Sequence, residues 1–578
     1  MKLKSRVSYK ELLMNNYAVL FLIFFTNIYS QSDFSNQLTA RYGKSENDFS
    51  YNEIYFDTKF SFNRPSYRID SVLAFELSDP PEIGLNEKGL REFLLGFYNQ
   101  NISFEIGDIY QTWGRGLLLN QLDYQNLDFN TGSSGLGFQY ESRGKSINLI
   151  TGNTSSRKST TVLGNYNSRV PNYFIDQFIY GGDFNLTIDN SKVGAALLFV
   201  NEDKKDLNHS LSNFRIEKSY KNGEFYFSLI SKISDKGTGN TEIIYKKKKG
   251  SGFYISSTNY FKDWALTSSF RQFEIDVNNP YLRDNIVDNY GQALDIQRSP
   301  SGFYQHTFRL LSRNSREVNL NDEIGLELQL LGPLNQVTDF AFNYMKSSST
   351  KRWYNGSSLL SGEWLSDNNS FPSSSKDSYP YEEIFVEISG YSKDGNTYYK
   401  VGLDFQDQVL NVQSNSAENK SFEISQSLTL PFLVSMNVSP LFNIELQIEL
   451  QRLKTGFETT IVSDTDNNGY SFHSLLSEDH QKNIFLSIAA NYKSKWSFSL
   501  SHEKTNSDES IQQNNPQETI DSSNNWNSTS VAYKFNSDHM LEIFYGSMRG
   551  GLDCTNGVCR YIQSFDDGIR IDYSRNID

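Results

Sequence analysis

Apolar and polar side chains alternate along most of this chain. In residues 51–62, Ile54, Phe56, Thr58, Phe60 and Phe62 share one parity. Glu53, Tyr55, Asp57, Lys59 and Ser61 share the other. A side-chain period of two is that of a β-strand. An oily face backed by a charged face is the pattern of a membrane-barrel wall. A tight turn at 63–66 follows, and the strand 67–77 repeats the alternation with Tyr67, Ile69, Leu73, Phe75 and Leu77. Further strands are predicted at 183–188, 193–200, 224–230, 241–245, 253–257, 383–388, 398–405, 442–453, 484–492, 496–502, 528–535 and 540–545. The last begins at Gly568, where Ile569, Ile571 and Tyr573 alternate with Arg570 and Asp572.

The connections have an order of their own. Short turns fall near Asn63, Asn99, Arg143, Asn190, Lys221, Lys248, Gly332, Lys393, Lys493 and Asn536. Longer polar loops fall at 78–91, 109–134, 153–175, 348–380, 407–420, 455–480, 504–526 and 549–567. Short turns at one end and long loops at the other mark an outer-membrane barrel, and a soluble sandwich has no reason to keep that asymmetry. The predicted fold is all-β, a large antiparallel transmembrane β-barrel of about 26 strands, within a range of about 22–26, with a segment in its lumen. Segment 276–299 breaks the rhythm. It is long, yet this count puts it on the short-turn side, so it either lies in the lumen, projects into the periplasm, or marks a slip in parity.

Composition agrees with such a wall. Only 37% of residues are hydrophobic, yet 14% are aromatic, with 35 Tyr and 42 Phe. Polar on average but rich in strand-formers is what half-wet strands require. The formal charge of −14 argues against a nucleic-acid partner. Residues 1–30 read as a secretory signal: Lys2, Lys4, Arg6 and Lys10, then an apolar run at 17–25, then Ile28-Tyr29-Ser30 before Gln31. Residues 31–578 form the predicted barrel. Beyond residue 30 no apolar run is long enough for a spanning helix.

The stretch that departs most from strand and turn is 107–119, Gly-Asp-Ile-Tyr-Gln-Thr-Trp-Gly-Arg-Gly-Leu-Leu-Leu. Its glycines permit backbone angles or close approaches that a side chain blocks. If it turns into the lumen, Asp108, Tyr110, Trp113, Arg115, Asp123 and Asp128 are candidates to line a constriction, where charge tunes which solutes pass. The plainer alternative is a latch, with Arg115 paired to a wall carboxylate and the stretch filling a wide barrel.

Three stretches together carry a resemblance. They are Gly107-Asp108-x-Tyr110-x-x-x-Gly114-Arg115-Gly116-Leu117, the run from Asp322 to Leu328 (Asp-Glu-Ile-Gly-Leu-Glu-Leu), and an ending in which Arg549-Gly550-Gly551 leads to Cys554 and then Gly557-Val558-Cys559-Arg560-Tyr561. In this order the chain resembles an uncharacterised family of exported outer-membrane β-barrels of Bacteroidota-type bacteria. The resemblance implies a location and a fold, and no catalytic residues.

Other chemistry is sparse. Asp464, Asp466 and Asn468, followed by Gly469, match the start of a calcium loop. The twelfth position is Leu475 rather than Glu, which favours a plain acidic turn, so no cofactor is required beyond this structural-calcium candidate. Cys554 and Cys559 flank a turn-prone Thr-Asn-Gly-Val, and export would place them where a small disulfide forms. The six histidines are dispersed, with no metal-ligand spacing, and no Gly-x-Ser-x-Gly elbow occurs. An enzyme is not expected. Aromatics near strand ends (Tyr173, Phe174, Tyr254, Tyr260, Phe261, Trp264, Tyr379, Tyr381) are candidates for interfacial girdles. The function expected is a conduit for a solute or polymer in the outer membrane of a Gram-negative bacterium. The alternative is a surface binding or adhesion scaffold acting through its loops. The partners expected are outer-membrane lipid, the barrel-assembly machinery and a lipoprotein or other surface partner.

Overall fold

Alternating strands with one oily face bury that face either against each other or against lipid. Here they close on themselves and turn it outward. The computed structural model describes residues 32–46, 49–159, 167, 169–202, 204, 206–236, 247–275, 293–300, 306–313, 316, 318–354, 363–366, 369–414, 420–464, 470–506, 524–555 and 558–577. Its wall is one antiparallel sheet of 24 strands. The first strand, Ser32–Ser45, pairs with the last, Phe565–Ile577, from Asn36↔Ile577 to Ser45↔Gly568, so the sheet has no free edge.

The strand number is 24, within the expected 22–26. Among the described residues four small hairpins stand outside the wall: Thr112–Trp113 with Leu119–Asn120, Asp123–Tyr124 with Phe129–Asn130, Lys351–Tyr354 with Glu363–Ser366, and Gly551–Thr555 with Val558–Ile562. Alternation alone cannot separate such hairpins from wall pairs. The parity does slip at Lys248. That residue opens the strand Lys248–Phe261 at the long-loop rim, and the short turn lies at the other end, between Phe261 and Trp264. The connection between Trp264–Glu274 and Asp322–Asn335 therefore starts and ends at the long-loop rim; of segment 276–299, residues 276–292 lie outside the described residues.

Side chains sort by face as the period requires. In Ser191–Glu202, Leu198 and Val200 are fully buried inside while Leu197 is 55% exposed outside. Ile54, Phe56, Phe75 and Leu77 likewise face out. Among the girdle candidates, Tyr260 and Phe261 are exposed at the short-turn rim, whereas Tyr254, Tyr379 and Tyr381 are buried inside the barrel. Strands Thr397–Ser414, Lys420–Ser439, Phe442–Asp464 and Tyr470–Tyr492 have 18, 20, 23 and 23 residues. A bilayer needs only about 9–11 residues per strand, so these four stand well above the rest of the long-loop rim.

Replacing an outward side chain at mid-strand tests the lipid-facing assignment. Leu197→Arg is expected to cost about 2–4 kcal/mol of folding stability in a bilayer. The measurement is the fraction of unheated protein that keeps the compact, fast-migrating form on a gel. A conservative Leu197→Ile is expected to keep it.

Candidate functional site

The strand Ile102–Ile109 stops early, and residues 110–132 turn into the barrel before Ser133–Ser142 resumes the wall. The turn is made where the backbone is left-handed at three consecutive residues, Gly114, Arg115 and Gly116, with φ of 64°, 52° and 90°. A Cβ on Gly114 would lie 2.9 Å from Asn213 Oδ1, and one on Gly116 2.9 Å from the Arg298 carbonyl. Glycine is required at both for backbone angle and for room. This reversal delivers Leu117, Leu118 and Leu119 to the inner wall, all with no exposed surface. Leu118, Leu119 and Trp113 pack on Ile150, Ile179, Leu198, Val200 and Leu211. Leu117 packs with Tyr226, Ile230 and Phe273. A second inner segment, 293–300, adds Leu294 and Ile296 to the first of these clusters. It is bonded to the first segment by Arg298 N to Gly116 O (2.8 Å), Asn120 N to Ile296 O (2.7 Å) and Gln297 Nε2 to Leu117 O (3.0 Å).

The candidate residues fall in two places. Arg115 lies across the lumen, over the Tyr226 ring at 3.9 Å, with Glu217 at 3.8 Å and Glu224 at 3.9 Å. It is about one-third exposed, so these ion pairs are solvated and individually weak. Trp113 is buried and donates its Nε1–H to Gln111 Oε1 at 2.9 Å. Tyr110 accepts a hydrogen bond from Asn130 Nδ2 at 3.0 Å. Asp108, Asp123 and Asp128 instead gather at a cavity of about 720 Å³. Asp108 accepts from Phe93 N at 2.8 Å, and Asp123 receives Arg91 at 2.5 Å. Asp128 lies 3.6 Å from Arg560 and 3.8 Å from Arg157. Burial pushes the Asp128 carboxyl up to about 6, against the opposing pull of Arg560 and Arg157. Of the calcium candidates, Asp466 and Asn468 lie outside the described residues, as does the side chain of Asp464. The backbones of Cys554 and Cys559 are direct cross-strand partners, and their side chains lie outside the described set.

The cavity occupies a notch in the wall. Strand Glu87–Asn99 last pairs with Ile102–Ile109 at Leu94↔Gly107, yet it continues to Glu87. On the far side, Lys145–Lys158 last pairs with Ser133–Ser142 at Thr154↔Ser133, yet it continues to Lys158. Two taller strands thus flank two short ones. The cavity is lined from the inner face by Tyr55 and Glu76 and from the outer face by Phe178 and Asn201. A continuous sheet cannot offer both faces to one space. The notch is spanned by Arg157 Nη2 to Glu87 Oε1 at 2.9 Å. Six carboxylates and four cations line the cavity, Asp108, Asp123 and Asp128 among the former.

The other two motifs also hold chain inside the barrel. Arg271 is fully buried and pairs with Glu323 at 2.8 Å. Gly325 leaves it room, since a Cβ there would lie 2.7 Å from the guanidinium carbon. Glu323 also takes Arg316 at 3.5 Å and the Asn319 N–H at 2.8 Å. From the ending, Arg560 donates to the Leu127 carbonyl at 2.6 Å, and Arg549 reaches Glu503 at 3.3 Å. Glu503, buried on the wall, also receives Arg313, and Arg309 at 3.3 Å. Glu449 accepts the Arg309 and Leu310 N–H groups at 2.8 and 2.7 Å, at the start of the short helix Arg309–Ser312. Glu449 and Glu503 escaped the sequence reading. Their signal was a charge at an inward parity, which a wet lumen would tolerate anyway. The apolar inner patch had a clearer sign: the unbroken run Ala195 to Val200, apolar on both parities.

A family model described as a family of unknown function (DUF6029) matches residues 21–577. No curated protein matches the chain. Among solved structures, the siderophore receptor PirA from Pseudomonas aeruginosa is similar at a TM-score of 0.40 and 8% identity, over 96% of this chain and 82% of that one. The outer membrane transporter YddB from Escherichia coli is similar at 0.39 and 10%, over 95% and 81%. The outer membrane protein OprD from Pseudomonas aeruginosa is similar at 0.34 and 10%, over 68% and 91%.

Two outcomes follow for the inner segment. Leu118→Ala is expected to weaken its docking by about 2–5 kcal/mol through lost burial and a cavity. Amide hydrogen exchange over 111–121 reads this as faster exchange while wall amides are unchanged. Asp128 has a folded-state pKa of about 6 against an ordinary 3.8, so the stability it contributes is present below about 4 and is lost as pH rises through 6. Asp128→Asn is expected to flatten that part of the pH–stability curve, measured by urea unfolding in micelles.

Proposed function

The chain belongs to this family of unknown function, whose model spans residues 21–577, and on that footing we propose that it is a gated conduit of the Gram-negative outer membrane. The observation that carries the reading is the cavity in the wall notch, open to both faces of the sheet and beside segment 110–132, which packs on the inner wall. A barrel of 24 strands is wide enough for an aqueous channel unless something fills it. Here the filling is chain anchored by buried ion pairs and held by a leucine contact that can release without unfolding the wall. The solute class that fits the cavity is small and hydrophilic, neutral or cationic, because carboxylates outnumber cations in its lining. The long loops would face the exterior. The barrel-assembly machinery and the surrounding lipid are the partners this form requires, with a lipoprotein or other surface protein as a further partner.

Planar-bilayer conductance tests it. Wild-type protein is expected to stay mostly closed, with brief cation-selective openings. Leu118→Asp, checked for folding by heat-modifiability, is expected to raise the open fraction and to admit small sugars in liposome swelling. A folded Leu118→Asp barrel that conducts no more than wild type would overturn the conduit reading.

One observation favours a second reading, a surface binding scaffold. The four tall strands between Thr397 and Tyr492 rise beyond what a membrane needs. Shortening that ridge should leave conductance unchanged if the conduit reading holds, and should abolish attachment of cells to their surface ligand if the scaffold reading holds.

A further inference from the structure

We infer that His306, Glu383 and Asp404 form a divalent transition-metal site on the inner wall, which clamps a lumenal segment to the barrel. Glu383 lies on Tyr381–Tyr391 and Asp404 on the neighbouring Thr397–Ser414. Glu383 pairs with Gln406, so Asp404 is one inward position further along the adjacent strand. His306 comes from the lumen, just before the short helix Arg309–Ser312. One ligand atom from each of the three lies within 4.8 Å of the other two. His306 Nε2 is 2.8 Å from Glu383 Oε1, and the imidazole is held edge-on against Phe385 at 4.6 Å.

Two carboxyl groups side by side in a buried place need a counter-charge or a proton. Asp404 has no exposed surface; its carboxyl faces Glu383 and Gln406, and no well-aligned hydrogen bond reaches either of its oxygens among the described residues. The nearby cations are committed elsewhere, Lys400 to Glu387 at 3.3 Å and Arg316 to Glu323 at 3.5 Å. Glu383 is oriented by the Tyr381 hydroxyl, which donates to Oε2 at 3.1 Å, and by Gln406 Nε2 at 3.4 Å from Oε1. Partners of this kind commonly position metal-binding carboxylates. A proton shared by the two acids would satisfy them without an imidazole. The convergence of a ring nitrogen on the same point selects a cation that accepts nitrogen and oxygen together, such as Zn²⁺, over Ca²⁺ or Mg²⁺, which prefer oxygen alone. Two ligands on the wall and one on the inner chain make the ion a clasp. Its loss would free residues 306–313 on one side, while Glu449 and Glu503 hold them on the other.

The test uses the full-length barrel folded in micelles, stripped with a chelator and titrated with Zn²⁺, Co²⁺ and Ca²⁺. Wild type is expected to bind one Zn²⁺ that Ca²⁺ does not displace. Losing even an outlying partner of a metal ligand typically costs about 10–100-fold in affinity, so His306→Ala and Asp404→Asn are each expected to lose at least that while keeping heat-modifiability. The Co²⁺ absorption of wild type needs no variant. Bands of a protein-bound ion with nitrogen and oxygen ligands support the site, and a spectrum of hydrated Co²⁺ alone overturns it. Unchanged Zn²⁺ affinity in folded His306→Ala and Asp404→Asn also overturns it, and would assign the ion to another histidine such as the exposed His480. No Zn²⁺ uptake at all would leave the carboxyl pair sharing a proton.

Discussion

A closed wall of 24 strands encloses more space than its own inward side chains can fill, and the rest of the molecule is a response to that constraint. The response is to turn chain inward. Residues 110–132, 293–300, 306–313 and the hairpin Gly551–Thr555 with Val558–Ile562 are tied to the wall or to one another inside or across the barrel. The contact that holds the deepest of them is apolar. Leu117, Leu118 and Leu119 meet oily inner patches spread over seven neighbouring strands, an inversion of the wet lumen such barrels ordinarily have. Burying three leucines is worth roughly 1.5–3 kcal/mol each, which is enough to hold a segment closed and little enough to let it open.

The remaining inner chain is held by a different chemistry. Glu503 gathers Arg309, Arg313 and Arg549, while Glu323 gathers Arg271, Arg316 and a backbone N–H. Such buried pairs are costly to break because the survivor is left as an unpaired charge. They therefore act as fixed anchors. Arg115, solvated and shared between Glu217 and Glu224, is the looser contact. The inner chain thus has a firm end at the buried arginines and a releasable end at Gly114-Arg115-Gly116. Motion of the segment would be felt at the notch, because the same stretch of chain supplies Asp123 and Asp128 to the cavity there.

What the sequence determined by itself follows from the period of two. It set the all-β class, the closed antiparallel wall, the outward face and the asymmetry between turns and loops, because those depend only on alternation and local turn chemistry. It also marked 107–119 as the stretch that departs from the wall, since Gly-Arg-Gly serves no strand. The exact count within the range of 22–26 and the place of 276–299 were beyond it, because a small hairpin alternates as a wall pair does and Lys248 reads as a turn at the wrong rim. What only the tertiary structure decided is which distant positions meet. Arg271 meets Glu323 through the register of two paired wall strands, while Asp128 meets Arg560, and His306 meets Glu383 and Asp404, through chain turned into the barrel. Separations along the chain of tens to hundreds of residues leave no local pattern from which such contacts could be read.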